Sequence, residues 1–282
     1  MSETENDAQI AYWNGAGGQS WVKRQEIWDQ VLAPVSAAVL QVAQPVSDET
    51  VIDIGCGCGA TTLALAEKVG PAGKVSGLDV SVPMLALAKV RAAALPSIEF
   101  ILADASDYAL PRAGADLLFS RFGVMFFADP IKAFANLRRG LRPGGRLAFS
   151  CFRAPADNLW MTVPLNAAYE HVPPLPKPGP EDPGPFSFAD PARVQRILTR
   201  AGFIDVALQP LDPLFDLAAG LGLEEAVRSV LEIGPSSRAL QDQPPAIRDA
   251  VAVSVRHALE PYVDGTAVRL PGAVWLVTAH NP

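Results

Sequence analysis

Between residues 50 and 152, short apolar runs alternate with stretches whose apolar positions recur at helical spacing. "TVIDI" reads as a buried strand and "TTLALAEKV" as a helix ended by Gly70-Pro71. "GKVSGLDV" predicts a second strand. Ser81 then serves as a helix cap, with Pro83 tolerated in the first turn. Met84, Leu87, Ala88 and Leu95 fall on one face of that helix. "IEFILAD" and "ADLLFS" are a third and a fourth strand. Asp129-Pro130 opens a further helix whose Ile131, Phe134 and Ala135 point inward. "RPGG" is a turn, and "RLAFSCF" a fifth strand. Repeated strand-helix-strand units predict an α/β architecture, a mostly parallel sheet with helices on both faces. Ligands of such sheets bind beyond the carboxyl ends of the strands.

The flanks follow another pattern. Residues 8–44 read as helical and carry Trp13, Trp21 and Trp28. "HVPPLPKPGPEDPGPF" is proline-rich and predicts an extended loop. "ADPARVQRILTRAGF" is again a capped helix, followed by the strand "IDVALQPL", and "GAVWLVTAHN" is a closing apolar strand. Leu214 to Tyr262 reads as a helical excursion with stripes at Leu223, Ala226, Val227, Val230 and at Ile247, Val251, Val255, Leu259. Residues 153–180 and 214–262 are therefore additions, expected to cover the open edge of the sheet. The resulting division is an N-terminal helical lid (1–49), an α/β core (50–213 with 263–282), and a helical insertion or cap (214–262). The stripes of the insertion fit either a cover over the strand ends, where a ligand would bind, or a homodimer interface.

Composition narrows the function. A chain of 282 residues, 49% of them hydrophobic, buries a sizeable core. No apolar run reaches the length of a membrane span. The start, "MSETENDAQI", is polar and acidic, unlike a secretory signal. A net charge of -7 argues against nucleic acid as a partner. The 3 cysteines form no disulfide framework, which points to a reducing compartment, the cytoplasm.

The densest signal is "VIDIGCGCGATT" at residues 51–62. Gly55, Gly57 and Ala60 satisfy the permissive G-x-G-x-x-G/A spacing, and Asp79 follows at the distance of a ribose-binding acid. A nicotinamide dinucleotide is one reading. Asp53 opposes it, since a carboxylate at the strand mouth repels a pyrophosphate. S-adenosylmethionine has the opposite charge pattern, an ammonium and a sulfonium with no phosphate. Asp79 suits the ribose of either ligand, because its two oxygens accept from two hydroxyls. Asp104 in "LADASD" is placed to accept from an adenine amine, with the Ala105 N–H donating to a ring nitrogen. Taken singly, Asp79 and Asp104 are equally well helix caps. Acids at three consecutive strand ends favour the cofactor.

"VIDIGCGCGATT", "GLDVSVPML", "ILADASD", "DLLFSRFGVMFF" and "LRPGGRLAF" stand in the order and spacing of class I S-adenosylmethionine-dependent methyltransferases. The chain most resembles their small-molecule branch, which includes the ubiquinone and menaquinone C-methyltransferases. The resemblance covers residues 50–152, persists loosely through "FSFADPARVQRILTRAGFIDV", and has no match in 214–262. It implies a Rossmann-like seven-stranded sheet whose last strand, "GAVWLVTAHN", is antiparallel between the fifth and sixth. It also implies that Asp53, the loop through Gly55, Cys56, Gly57 and Gly59, and Thr61 hold the methionyl part. By the same resemblance Asp79 holds the ribose, Val80 and Met84 flank the nucleoside, and Asp104 and Ala105 hold the adenine.

Methyl transfer from a sulfonium is an in-line displacement and needs alignment and dryness more than a nucleophile from the protein. No catalytic triad is found, and no catalytic residue is named. Ser120 and Arg121, at the end of the fourth strand, are expected near the methyl group. Arg121, Phe122 and Met125 are expected on the acceptor side, Arg121 for an acidic group or for one of the cofactor-side acids. Phe126 reads as core. Tyr12 and Trp21 are candidates for the cover over the cofactor. Cys56 and Cys58 lack the second close pair of a structural zinc site, so no metal is expected. The reading is S-adenosylmethionine-dependent methyl transfer to a small-molecule acceptor at oxygen, nitrogen or carbon. Its rivals are a nicotinamide-dependent oxidoreductase and a protein that binds the cofactor without turnover.

Overall fold

The computed structural model describes residues 5–179 and 181–282. Four helices open the chain: α1 (Glu5–Asn14), α2 (Ala16–Lys23), α3 (Gln25–Val31) and α4 (Ala33–Ala43). The alternating region follows with β1 (Thr50–Ile54), α5 (Ala60–Val69), β2 (Lys74–Asp79), α6 (Val82–Arg91), β3 (Ile98–Leu102), β4 (Ala115–Arg121), α7 (Pro130–Arg138) and β5 (Leu141–Phe152). Then come α8 (Leu159–Ala168), α9 (Pro191–Arg200), β6 (Ile204–Leu211), β7 (Leu214–Asp216), α10 (Leu223–Glu232), α11 (Pro235–Ala239) and α12 (Pro245–Leu259). The short β8 (Val263–Asp264), β9 (Ala267–Pro271) and β10 (Val274–His280) end it.

Seven strands form one sheet in the order β3-β2-β1-β4-β5-β10-β6. Strands β1 to β5 pair in parallel, and β10 runs antiparallel to both β5 and β6. The order reverses at β1, so the crevice beyond β1 and β4 is the topological switch point. Strands β1 and β4 are apolar almost throughout because both of their faces are covered, and Val51, Leu117, Leu118 and Phe119 are fully buried. Helix α4 lies against β4, β5 and β10, and α5 against β1 to β3.

The expected caps are present. Ser81 Oγ accepts from Met84 N–H, Asp129 from Lys132 N–H, and Asp190 from Ala192 N–H. Other details differ. Leu95 lies beyond the end of α6 and is exposed. In α7 the buried positions are Ala133, Phe134 and Leu137, while Ile131 and Ala135 are only half-buried. "RPGG" belongs to β5 and forms an irregularity in its pairing with β4, with Gly144 at φ 72°. Residues 214–216 are a strand, and β7, β9 and β8 make a second small sheet.

The additions do not cover the sheet edges. Strands β3 and β6 keep exposed positions such as Leu102 and Ile204. Instead α8, α10, α11 and α12 pack on one another. They reach the N-terminal helices through Trp28–Trp160, whose ring centroids are 5.8 Å apart, and through Arg24–Glu225. Trp160 also packs on Phe152 at the carboxyl end of β5. An amphipathic helix goes where apolar surface is continuous, and the cluster of aromatic residues past β5 offers more of it than the single row of side chains along a strand edge.

Candidate functional site

The site grows from the glycine loop between β1 and α5. Gly55, Gly57 and Gly59 all hold positive φ, at 68°, 55° and 83°, which side chains with a Cβ rarely adopt. At Gly55 a Cβ would also stand 2.7 Å from Gly123 Cα, so the loop packs directly on the residues after β4. The loop thus needs glycine for its own path as well as for any ligand. Met84 reaches the loop from α6, its Cε 2.8 Å from where a Cβ of Gly57 would stand.

Asp53 is fully buried in β1. Its Oδ2 accepts from the hydroxyls of Thr61 and Thr62, each at 2.7 Å, in the first turn of α5. Its Oδ1 is buried without a partner. Burial raises the pKa of Asp53 to about 6, and Asp79 adds to the rise, against the two threonines and Arg121. Asp79, at the end of β2, accepts from Gly57 N–H and Ser81 N–H, each at 2.8 Å. Desolvation raises its pKa as well, against those backbone bonds. Asp104 accepts from Ser106 N–H in the turn after β3, and Ala105 beside it is buried. The structure thus brings Asp53, the glycine loop, Thr61, Asp79, Val80 and Met84 into one contiguous cluster, with Asp104 and Ala105 beyond the next strand end.

The donors and acceptors present fit S-adenosylmethionine. The unpartnered Oδ1 of Asp53 calls for a hydrogen-bond donor or a cation, which an ammonium supplies directly or through water. Asp79 spends one lone pair per oxygen on the backbone and keeps acceptor capacity for two ribose hydroxyls. Two raised carboxylates in one cluster favour a cationic ligand over a pyrophosphate.

Several expected side chains do other work. Ser120 is fully buried, donates to Ile54 O at 2.7 Å and accepts from Gly123 N–H, so it braces β1 to β4. Arg121 donates through Nη1 to Ser36 of α4, and its charged neighbours are Asp29, Asp53 and Arg91, so it stands near a cofactor-side acid, the second of the two places expected for it. Burial lowers its pKa, which the nearby acids oppose. Met125 is a core residue, its sulfur accepting from Phe152 N–H. Phe122 is half-buried at the strand end and stacks on Phe152, centroids 4.0 Å apart and planes within 12°. Its φ of 65° is rare for a bulky residue and aims the ring across the end of β5. Phe126 is half-buried and meets Trp13 edge-on. Tyr12 packs beneath the guanidinium of Arg238, 4.4 Å from the ring centroid. Trp21 of α2 pairs with Trp28 of α3, within the N-terminal helices.

Four residues escaped the sequence reading. Thr62 shares the Asp53 carboxylate, and a threonine pair at a helix start was the available signal. Asn14 donates to Val80 O and accepts from Val82 N–H. Arg91 donates to Cys58 O and pairs with Asp29. These last three connect distant parts of the chain and left no local pattern. Cys56 and Cys58 are free and buried, and among the described residues no group of metal-binding side chains gathers. Burial lifts both thiols, Cys58 to about 12.

Residues 51–145 match the family described as Methyltransferase domain. The aklanonic acid methyltransferase of Streptomyces sp. strain C5 is 35% identical over 129 residues, which is 44% of this chain and 59% of that protein. The demethylmenaquinone methyltransferase of Listeria welshimeri is 33% identical over 129 residues, 44% of this chain and 53% of its own. The chain thus spans little more than half the length of these curated relatives. Among solved structures, the Haemonchus contortus phosphoethanolamine N-methyltransferase 2 with S-adenosylhomocysteine superposes with a TM-score of 0.55 at 18% identity. That superposition covers 99% of this chain and 58% of that one, and it shows a common fold.

Proposed function

From a chain that carries a class I S-adenosylmethionine-dependent methyltransferase domain, we propose that the whole protein transfers a methyl group to a small-molecule acceptor at oxygen, nitrogen or carbon. The observation that carries this is Asp53, a fully buried carboxylate with one unpartnered oxygen under a glycine loop, followed by Asp79 and Asp104 at the next two strand ends. When bound, the cofactor supplies an electrophilic methyl on a sulfonium. The protein's part is to orient and to keep dry. Asp53 draws the cationic end toward the loop, with Thr61 and Thr62 fixing its rotamer. Asp79 takes the ribose hydroxyls, and Asp104 with Ala105 takes the adenine. Val80 and Met84 flank the nucleoside. The stacked Phe122 and Phe152 form an apolar wall beyond β4 and β5 on the acceptor's side. The α8 and α10–α12 helices, joined to that wall through Trp160, exclude water from the displacement.

Among the described residues no helix is long and apolar enough to cross a membrane. Three free cysteines support a reducing compartment, and a net charge of -7 supports a small acceptor over nucleic acid. Titration calorimetry with S-adenosylhomocysteine and with NADH tests the reading, together with turnover of labelled S-adenosylmethionine in a metabolite extract. Binding of the first ligand alone, with label entering a small molecule, is the expected result. Binding of NADH in its place would overturn it.

A further inference from the structure

The turn that follows Asp79 carries a second set of bonds. Asn14, the last residue of α1, donates through Nδ2 to Val80 O at 2.8 Å. Its Oδ1 accepts from Val82 N–H at 2.9 Å. Ser81, between them, donates to Trp13 O at 2.7 Å while its own N–H goes to Asp79 Oδ1. The α1–α2 corner therefore grips the two residues after the ribose acid from both sides. A carboxamide suits this because one planar group both donates and accepts, so it pairs with a carbonyl and an N–H two residues apart. Val82 N–H is one of the first donors of α6 and has no intrahelical acceptor, so the grip also completes that helix end. The approach is close: a Cβ on Gly18 of α2 would collide with Trp13 O and stand 2.8 Å from Ser81 Oγ. A second anchor sits at the glycine loop. Arg91 donates to Cys58 O at 2.6 Å and pairs with Asp29 of α3 at 2.7 Å. Both cofactor loops are thus tied to the N-terminal helices by side chains that the proposed cofactor contacts leave free.

We infer that Asn14 is a positioning residue that latches the N-terminal helices onto the ribose turn and sets how long the cofactor stays bound. This rests on the reading of Asp79 as the ribose acid. Ligand on Asp79 holds its turn in the shape that Asn14 grips, and the grip holds the turn for the ligand. The two are linked reciprocally. Asn14 touches no reacting atom in this scheme.

The test is the release rate of labelled S-adenosylhomocysteine, chased with unlabelled ligand, for the full chain and two variants. Asn14→Leu removes both of these bonds and also the Nδ2 bond to Ile10 O within α1, at 2.9 Å. Asn14→Asp keeps the acceptor for Val82 N–H while losing the donor to Val80 O and Ile10 O; its negative charge is favourable at the start of α6 and unfavourable at the end of α1, so the two effects on folding oppose each other. Release is expected to be about tenfold faster for Asn14→Leu, the effect of losing about 1.4 kcal/mol of hydrogen bonding. For Asn14→Asp it is expected to be intermediate, with the melting curve without ligand undiminished. That split separates a latch from a merely structural asparagine. Release within twofold of wild type for Asn14→Asp, or for a folded Asn14→Leu, overturns the latch. Failure of the unmodified protein to bind S-adenosylhomocysteine would instead strike the functional reading itself.

Discussion

Asp53 in the sheet and Arg24, between α2 and α3 where the added helices dock, are both nearly sealed from solvent, yet they are held in opposite ways. Asp53 takes its two hydrogen bonds from Thr61 and Thr62, eight and nine residues along the chain, and keeps one oxygen unpartnered. Arg24 has only remote partners. Its guanidinium meets Glu225 at 2.5 Å, Glu232 at 3.1 Å and Ser229 at 3.2 Å, with Ser229 205 positions away in sequence. Lys23 adds a second bond to Glu232, and Arg228 one to Glu225. At Asp53 the sheet therefore places chemistry through short, local connections, and leaves one oxygen unpartnered for a ligand. The charges of α10 are paired with Lys23 and Arg24 of the N-terminal helices as close ion pairs, in which Arg24 Nε, Glu225 Oε1 and Glu232 Oε2 lack hydrogen-bond geometry, and these pairs fix where α10 sits against α2 and α3. One region is built to bind, the other to stay in place.

The largest expected effect breaks the second half of that contrast. Arg24→Ala leaves Glu225, whose side chain is 11% exposed, with only the solvent-exposed Arg228 as counterion. We expect a loss of about 3 kcal/mol in urea unfolding, the scale of orphaning a buried charge. A loss under about 1 kcal/mol would show the network to be well solvated and its fixing role unneeded.

Asp53 gives the next effect, and its pH dependence has a definite sign. Its folded pKa, raised to about 6 by burial, exceeds the usual 3.8. The folded protein therefore holds this proton more tightly than the unfolded chain does. Stability from this group rises as pH falls through 6 and levels off below 3.8. A cationic ligand responds in the opposite direction, so S-adenosylmethionine affinity should fall as pH drops through about 6. Asp53→Asn should flatten that profile and weaken binding at pH 8 by roughly 1.5 to 3 kcal/mol. Equal affinity at pH 8 by calorimetry, in a folded variant, would sink the role given to Asp53.

Tyr12 ties α1 to the added helices, because Arg238 of α11 lies over its ring. Tyr12→Leu keeps apolar bulk and removes the cation–π contact, for an expected cost of about 0.5 to 1 kcal/mol in thermal unfolding. The smallest effect is at Cys58. With its thiol pushed up to about 12, it stays neutral at pH 8, so iodoacetamide should alkylate it only after unfolding. Cys58→Ser should leave activity largely intact. Zinc near one equivalent in the purified protein, lost on this substitution, would revive a metal role for the pair.

The same contrast explains what was legible in the sequence. Strand and helix periods gave β1 to β6, α5, α6, α7 and α9, and the three acids fell at strand ends as read. Local caps at Ser81, Asp129 and Asp190 were equally visible, since a cap is a relation between residues two or three apart. Arg121, Ser120 and Met125 were placed at the right strand end, but their partners within the protein were not legible. Their position follows from strand length, but which way each is satisfied depends on Ser36, Ile54 and Phe152, none of which lies near them in sequence. Asn14, Asp29 and Arg91 were missed for the same reason.

By itself, the sequence determined the alternating architecture, the glycine loop, and the acids that follow it, because each rests on spacing within one element or one turn. Only the tertiary structure decided that the additions bypass the sheet edges, that Arg24 meets Glu225 and Glu232, that Phe122 stacks on Phe152, and that Asn14 clasps the turn beside Asp79. Those are pairings between residues far apart in the chain. Such pairings are selected by which buried donors, charges and rings find partners once the elements have packed, and no periodicity in the chain encodes that choice.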